Sequence, residues 1–185
     1  MSKVSVNTLC QRYENAFSNQ YSINPPWLLF DTIKEHVQLA VTINDHFHLN
    51  YPLEKIVAAC YLKDLFGWNP SAHGRLAYVY VEYAQHPLLL TFSKDDLGDI
   101  ALACRCHCID YQGQHLSSFS ELIAAAARGP LRPVETHFNT FKQEWLWREI
   151  TTEPKEILAD YIARYGSKSV FTYPSYYTLY YQDEL

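Results

Sequence analysis

The chain lacks the features that mark several large functional classes. It has no stretch of about 18 uncharged apolar residues, so we expect no membrane-spanning helix and no membrane partner. Its first residues lack the apolar core of a signal peptide. No run of Lys or Arg stands out and the formal net charge is −5, so we expect no extensive contact with a nucleic-acid backbone.

Two catalytic signatures and a regular cysteine framework are also missing. The sequence contains neither a Gly-rich phosphate loop nor a Gly-x-Ser-x-Gly nucleophile elbow. Its five cysteines are an odd number, which favours free thiols and a cytoplasmic protein. Three of them are clustered, but on a helix Cys106 would point away from the face that Cys104 and Cys108 share. A structural zinc site is therefore not expected there.

What the chain does have is a helical pattern along most of its length. With 185 residues and 48% hydrophobic content, it can bury the core of one domain. We predict an all-α, single-domain helical bundle over residues 1–185. Its core spans about 27–150, and a C-terminal helix and Tyr-rich tail at 151–185 pack back on it. The predicted helices are 5–18, 27–49, 52–67, 71–85, 94–108, 118–129, 134–150 and 154–165, with capping boxes at Ser93 and Ser118.

Four polar residues fall on or beside apolar faces of these predicted helices. His36 is the only polar member of the apolar stripe of helix 27–49. Lys63 lies on an apolar face with Asp64 at its edge, and His107 shares a face with apolar residues of helix 94–108. A buried charge is costly unless it is paired or binds a metal. We therefore predict that the four converge in one pocket, although any one alone is also explained as a hydrogen-bonded core residue.

The segment around Lys63 resembles a known metal-binding helix. Residues 58–67 read AACYLKDLFG, similar to the helix of the HD phosphohydrolase superfamily in which a His-Asp pair binds a catalytic metal. Lys63 stands at the position of that His, and Asp64 is kept. In the family order, His36 matches an early metal-binding His. His73 and His107 match two further histidines that some members use for a second metal.

The second half of the chain resembles a subgroup of this superfamily that is common in phage and bacterial genomes. Residues 120–130 read SELIAAAARGP, and the end of the chain reads RYGSKSVFTYP followed by DEL at 183–185. The resemblance covers roughly residues 30–185 and implies an HD-like helical domain. Ala127 replaces the final metal-binding Asp of the family. Two of the four ligand positions of a mononuclear site are thus changed, at Lys63 and Ala127.

These departures favour a non-catalytic HD-like protein with no bound metal. In this reading Lys63 pairs with Asp64 and substitutes for the lost cation. The protein would bind a nucleotide, another phosphorylated small molecule or a protein partner. The binding site would be either the outer surface or the former metal and phosphate pocket, with Lys63 and Arg128 as ligand-binding residues. The cytoplasm would be that of a host cell if the protein is phage-encoded.

The alternative is an active phosphohydrolase that acts on nucleotides or other phosphomonoesters. His36, Asp64, His73 and His107 would then hold a divalent metal, which could be Mn, Fe, Ni or Zn. The resemblance implies that this metal activates a water for attack on phosphorus. Lys63 would stabilise the charge of the phosphate.

Overall fold

A computed structural model of the protein describes residues 4–25, 28–69, 71–83, 85–107 and 117–128. Within these ranges the chain forms α-helices and no strand, which confirms the all-α prediction for this part of the chain. The helices are α1 Val6–Tyr21, α2 Phe30–His46, α3 Leu53–Lys63, α4 His73–Tyr83, α5 Lys94–Cys106 and α6 Ser118–Arg128. The helices predicted at 134–150 and 154–165 and the Tyr-rich tail lie outside the described residues.

Helices α2 and α3 end three and four residues before their predicted ends. Helix α2 ends at His46 instead of residue 49, because the chain turns into a Schellman motif. His48 adopts the left-handed conformation (φ 52°) in place of the usual glycine. The N–H groups of His48 and Leu49 donate to the carbonyls of Asp45 and Asn44 at 3.2 and 2.9 Å. With no glycine at this position, the sequence offered no stop signal.

Helix α3 ends at Lys63 and not near Gly67 as predicted. Gly67 lies in the turns that follow, where a Cβ atom would overlap Leu28 Cδ1 and lie 3.3 Å from Asn24 Cγ. The glycine therefore allows close packing against the segment between α1 and α2. Gly67 does not end the helix, because α3 already ends four residues earlier, at Lys63.

Side-chain caps begin helices α5 and α6. Ser93 Oγ accepts a hydrogen bond from the N–H of Asp96 at 3.1 Å and donates to the Asp96 carboxylate at 2.7 Å, which forms the predicted capping box. The second cap lies one residue earlier than the capping box predicted at Ser118 and pairs two serines. Ser117, not Ser118, accepts from the N–H of Ser120 at 3.1 Å, and Ser118 is already the first residue of α6.

Helix α3 is the centre of the bundle. All residues from Lys55 to Lys63 are buried, and the helix packs against the other five. Lys55, which the sequence analysis did not single out, pairs with Asp96 and Asp99 of α5 at 2.7 and 2.8 Å. Its ammonium lies 4.9 Å from the centre of the Phe119 ring on α6. Helix α3 thus carries its C-terminal residues into the protein interior.

Among the described residues, no helix combines the length and the apolar character that crossing a bilayer requires.

Candidate functional site

The end of α3 brings two charged side chains into contact. Side chains of consecutive residues within an α-helix diverge. Asp64 is the C-cap and leaves the helical conformation, with φ −105° and ψ 9°. Its carboxylate can therefore turn back, and Asp64 Oδ2 accepts from Lys63 Nζ. The side chains are 1% and 5% exposed, so this is a buried ion pair.

Helix α2 supplies a second partner for the ammonium of Lys63. Nδ1 of the half-buried His36 lies 3.0 Å from Lys63 Nζ. A protonated ammonium has no lone pair, so Nδ1 of His36 accepts this hydrogen bond. The ammonium thus lies between an imidazole nitrogen and a carboxylate oxygen. Atoms of these two kinds are also ligands of divalent transition metals.

The other side of the Asp64 carboxylate faces two histidines. His107, the C-cap of α5, places its Nε2 atom 3.2 Å from Asp64 Oδ1. His73, the first residue of α4, places its Nε2 atom 3.1 Å from the same nitrogen of His107. One ligand atom from each of the three residues lies within 4.8 Å of the others. We call Asp64, His73 and His107 the acid–histidine group.

The tautomer of His107 follows from its other ring nitrogen. Nδ1 lies 2.7 Å from the carbonyl oxygen of Cys104. Because a carbonyl can only accept, Nδ1 must carry a proton. In the neutral ring, Nε2 then carries a lone pair, which faces the carboxylate oxygen of Asp64. Two acceptors at this distance need a proton or a cation between them, which a proton on either group or a shared metal cation provides.

The geometry of the acid–histidine group fits a divalent cation. Two ligands that share a tetrahedral zinc ion, each about 2.1 Å from it, stand about 3.4 Å apart. The separations of 3.1 and 3.2 Å are slightly shorter than this value, and all three ligand atoms lie within 4.8 Å of one another. Metal-binding histidines also commonly donate their second ring nitrogen to a carbonyl, as His107 does. The residues therefore suit an ion such as Zn²⁺ or Mn²⁺.

The structure divides the four metal-ligand candidates of the sequence analysis. Asp64, His73 and His107 lie together, whereas His36 contacts the ammonium of Lys63 on the other side of the carboxylate. The four predicted pocket residues, His36, Lys63, Asp64 and His107, form one continuous chain of contacts. The expectation of a metal-free protein remains a prediction that a metal analysis must decide.

Two other predicted positions lie at the end of α6. Ala127 is 8% exposed and packs in the bundle. Arg128 is the last residue of α6, but its side chain lies outside the described part of the chain.

Sequence reasoning missed one residue that supports the site. Asn24, 8% exposed, donates from Nδ2 to the carbonyl of Asp64 at 2.8 Å. Its Oδ1 accepts from the N–H of Trp68 at 3.0 Å. Asn24 thus spans the turn after α3 and holds the backbone of Asp64 in place. The sequence showed Asn24 only as the start of an Asn-Pro-Pro break, and its partners lie 40 or more residues away.

Cys60 lies one helical turn before Lys63 and is fully buried. Burial raises the pKa of its thiol to about 12, although the positive charge of Lys63 opposes this rise. Cys60 is therefore a neutral thiol at physiological pH and adds no negative charge beside the site.

Comparisons of the chain with family models, curated proteins and solved structures gave no significant match.

Proposed function

We propose that this protein is an HD-like phosphohydrolase that binds one divalent cation through the acid–histidine group and acts on a nucleotide or another phosphomonoester. The observation that carries the proposal is the close spacing of Asp64, His73 and His107, with ligand atoms within 4.8 Å of one another. Three protein ligands with a position left for water or substrate are typical of catalytic metal sites. Asp64 also matches the metal-binding Asp of the HD helix that residues 58–67 resemble, although Lys63 stands at the position of that helix's His.

Each residue of the site has a physical role in this proposal. The carbonyl of Cys104 orients His107 so that its Nε2 lone pair is available. Asn24 and Lys63 hold Asp64 from its backbone and from its side chain. When bound, a divalent cation would supply the charge that polarises a phosphoryl group and activates a water. His73 and His36 are only half-buried, so solvent reaches the cluster on their sides.

The test of this proposal is a metal analysis joined to an activity assay. The purified protein is dialysed against Mn²⁺, Fe²⁺, Ni²⁺ or Zn²⁺, and its metal content is measured by mass spectrometry. Phosphate release from nucleoside monophosphates is then followed for the loaded protein. We expect close to one ion per chain and measurable hydrolysis, with both lost in His107→Ala.

A histidine outside the cluster provides the matched control. His46 is exposed at the end of α2, so His46→Ala should keep both metal and activity. A protein that takes up none of the four metals would overturn the proposal.

A second candidate is a non-catalytic protein that binds the phosphorylated molecule, or a protein partner, without turnover. It is favoured by the buried pair of Lys63 and Asp64, which already neutralises one oxygen of the carboxylate. The non-catalytic candidate is also favoured by Ala127, which stands where the HD superfamily has its final metal-binding Asp. Titration calorimetry with nucleotides in the presence of a chelator measures metal-independent binding and so distinguishes this candidate from the phosphohydrolase. Metal-independent binding that Arg128→Ala weakens, without phosphate release, would support this candidate.

A further inference from the structure

The carboxylate of Asp64 has a different partner on each of its two oxygens. Oδ2 accepts from the ammonium of Lys63, and Oδ1 faces Nε2 of His107. A carboxylate can contact two cations at once in this way, one at each oxygen. One of the two is here part of the polypeptide itself.

The surroundings of the Lys63 ammonium are those of a bound cation. His36 Nδ1 and Asp64 Oδ2 both direct lone pairs at Nζ, and Lys63 is 1% exposed. In a surface salt bridge, the ammonium would not need an imidazole as a second acceptor. A lysine that binds a ligand directly would need an exposed ammonium group. The charge of Lys63 is therefore enclosed and acts on its neighbours through Asp64.

We infer that Lys63 is a built-in monovalent cation that occupies one half of a two-cation site, so that the protein binds a single divalent ion, in the acid–histidine group. This inference rests on the proposed function, because it requires that group to bind metal. It makes Lys63 a determinant of metal number and affinity and not a group that touches the substrate. The ammonium of Lys63 and one divalent ion together place a charge of +3 beside Asp64, whereas two divalent ions would place +4 there.

Two consequences can be measured. Cations on one carboxylate repel each other, and in a partly buried site this repulsion changes a binding constant by more than about tenfold. Replacing the ammonium by a neutral side chain of similar length should therefore tighten binding of the remaining ion. Replacing it by histidine should add a ligand beside His36 and Asp64 and create room for a second ion.

The experiment compares wild type, Lys63→Met and Lys63→His with Mn²⁺ as the probe. Equilibrium dialysis gives the number of ions per chain and their affinity, and circular dichroism checks that each variant is folded. We expect one ion in wild type, one ion bound more than about tenfold more tightly in Lys63→Met, and two ions in Lys63→His. Two neighbouring ions would also broaden the manganese electron-paramagnetic-resonance signal through spin coupling.

The outcomes separate this inference from the proposed function. One ion of unchanged affinity in all three proteins would overturn the role of Lys63 and leave the proposed function intact. No ion in wild type, together with binding in the variants, would overturn the proposed function but keep Lys63 as the charge that excludes metal. No ion in any of them would overturn both.

A measurement on the wild-type protein covers the case in which the variants do not fold. In protein labelled with ¹⁵N-lysine, the Lys63 ammonium should give a protected signal, because the group is enclosed. Addition of diamagnetic Zn²⁺ should shift this signal while it keeps the ammonium frequency. A signal that Zn²⁺ leaves unchanged, or one that moves to the frequency of a neutral amine, would contradict the inference.

Discussion

A buried ammonium group is stable in a protein interior only when neighbouring groups replace the water that it loses. Lys63 meets this condition through Asp64 and His36, and Lys55 through Asp96 and Asp99. Both lysines belong to α3, so the central helix is held by charge as well as by apolar packing. Removal of Lys63 would leave the buried carboxylate of Asp64 without its cation, whereas Asp96 and Asp99, the partners of Lys55, are partly exposed to solvent.

Replacing Lys63 by alanine should destabilise the protein by about 3–5 kcal/mol, because it leaves a buried carboxylate without its cation. Urea denaturation measures the change in the free energy of unfolding. Lys94, exposed at the start of α5, is the matched control, and Lys94→Ala should change stability by less than about 0.5 kcal/mol. Equal stability of the two variants would mean that the buried pair contributes little.

Replacing Asn24 by alanine should cost about 1–3 kcal/mol, since the carbonyl of Asp64 and the N–H of Trp68 lose their partner. It should also weaken Mn²⁺ binding, because the turn that carries Asp64 is no longer held. Asn19 is exposed in α1, and Asn19→Ala should leave both quantities nearly unchanged. Loss of stability without loss of metal affinity would show that Asn24 acts on the fold alone.

At the scale of the elements, the position of each helix end decides which side chains meet. Helix α3 stops at Lys63, which frees Asp64 to turn its carboxylate back. Helices α4 and α5 present His73 and His107 at their first residue and at their C-cap. The candidate site is thus built from helix termini, where backbone direction can change within one residue.

The link between α3 and α5 should depend on pH through Asp96. The hydrogen bond from Lys55, together with that from Ser93, lowers the pKa of Asp96. The unfolded chain therefore takes up a proton first as the pH falls. The stabilisation is present above about pH 4 and is lost as the pH drops through the lowered value. Asp96→Asn should consequently destabilise the protein more at pH 7 than at pH 3, as measured by urea denaturation.

Asp95 provides the control for this pH dependence. It lies in the same first turn of α5 and is exposed, so Asp95→Asn should give a small difference that changes little between the two pH values. A stability gap for Asp96→Asn that is the same at pH 3 and pH 7 would contradict the role of its charge.

At the scale of the whole molecule, a metal that binds only the folded state stabilises every helix that contributes a ligand. Above the dissociation constant, each tenfold rise in free Mn²⁺ should add about 1.4 kcal/mol to the free energy of unfolding. Mn²⁺ is preferred to Zn²⁺ because the cysteines of the unfolded chain bind zinc. His107→Ala should abolish this dependence, and a wild-type protein insensitive to Mn²⁺ would contradict the proposed site.

Much of the described fold could be predicted from local patterns. The helices arise from apolar periodicity and from caps such as that of Ser93, both of which act over a few residues. The same periodicity indicated that His36, Lys63 and His107 point inward, since each interrupts an apolar face. The ends of α2 and α3 were placed too late, because His48 adopts a left-handed conformation without glycine and Gly67 serves packing.

Local sequence patterns dictate that the described part of this protein is helical and that polar groups enter its core, because helix formation and amphipathic faces depend on neighbours along the chain. Long-range packing sets the partners of these groups. Lys63 and His36 lie at one oxygen of Asp64, and His107 and His73 lie at the other. It also decided that Asn24 holds Asp64. These contacts join residues 27 to 43 positions apart, or depend on where a helix ends. Helical periodicity carries no information on either.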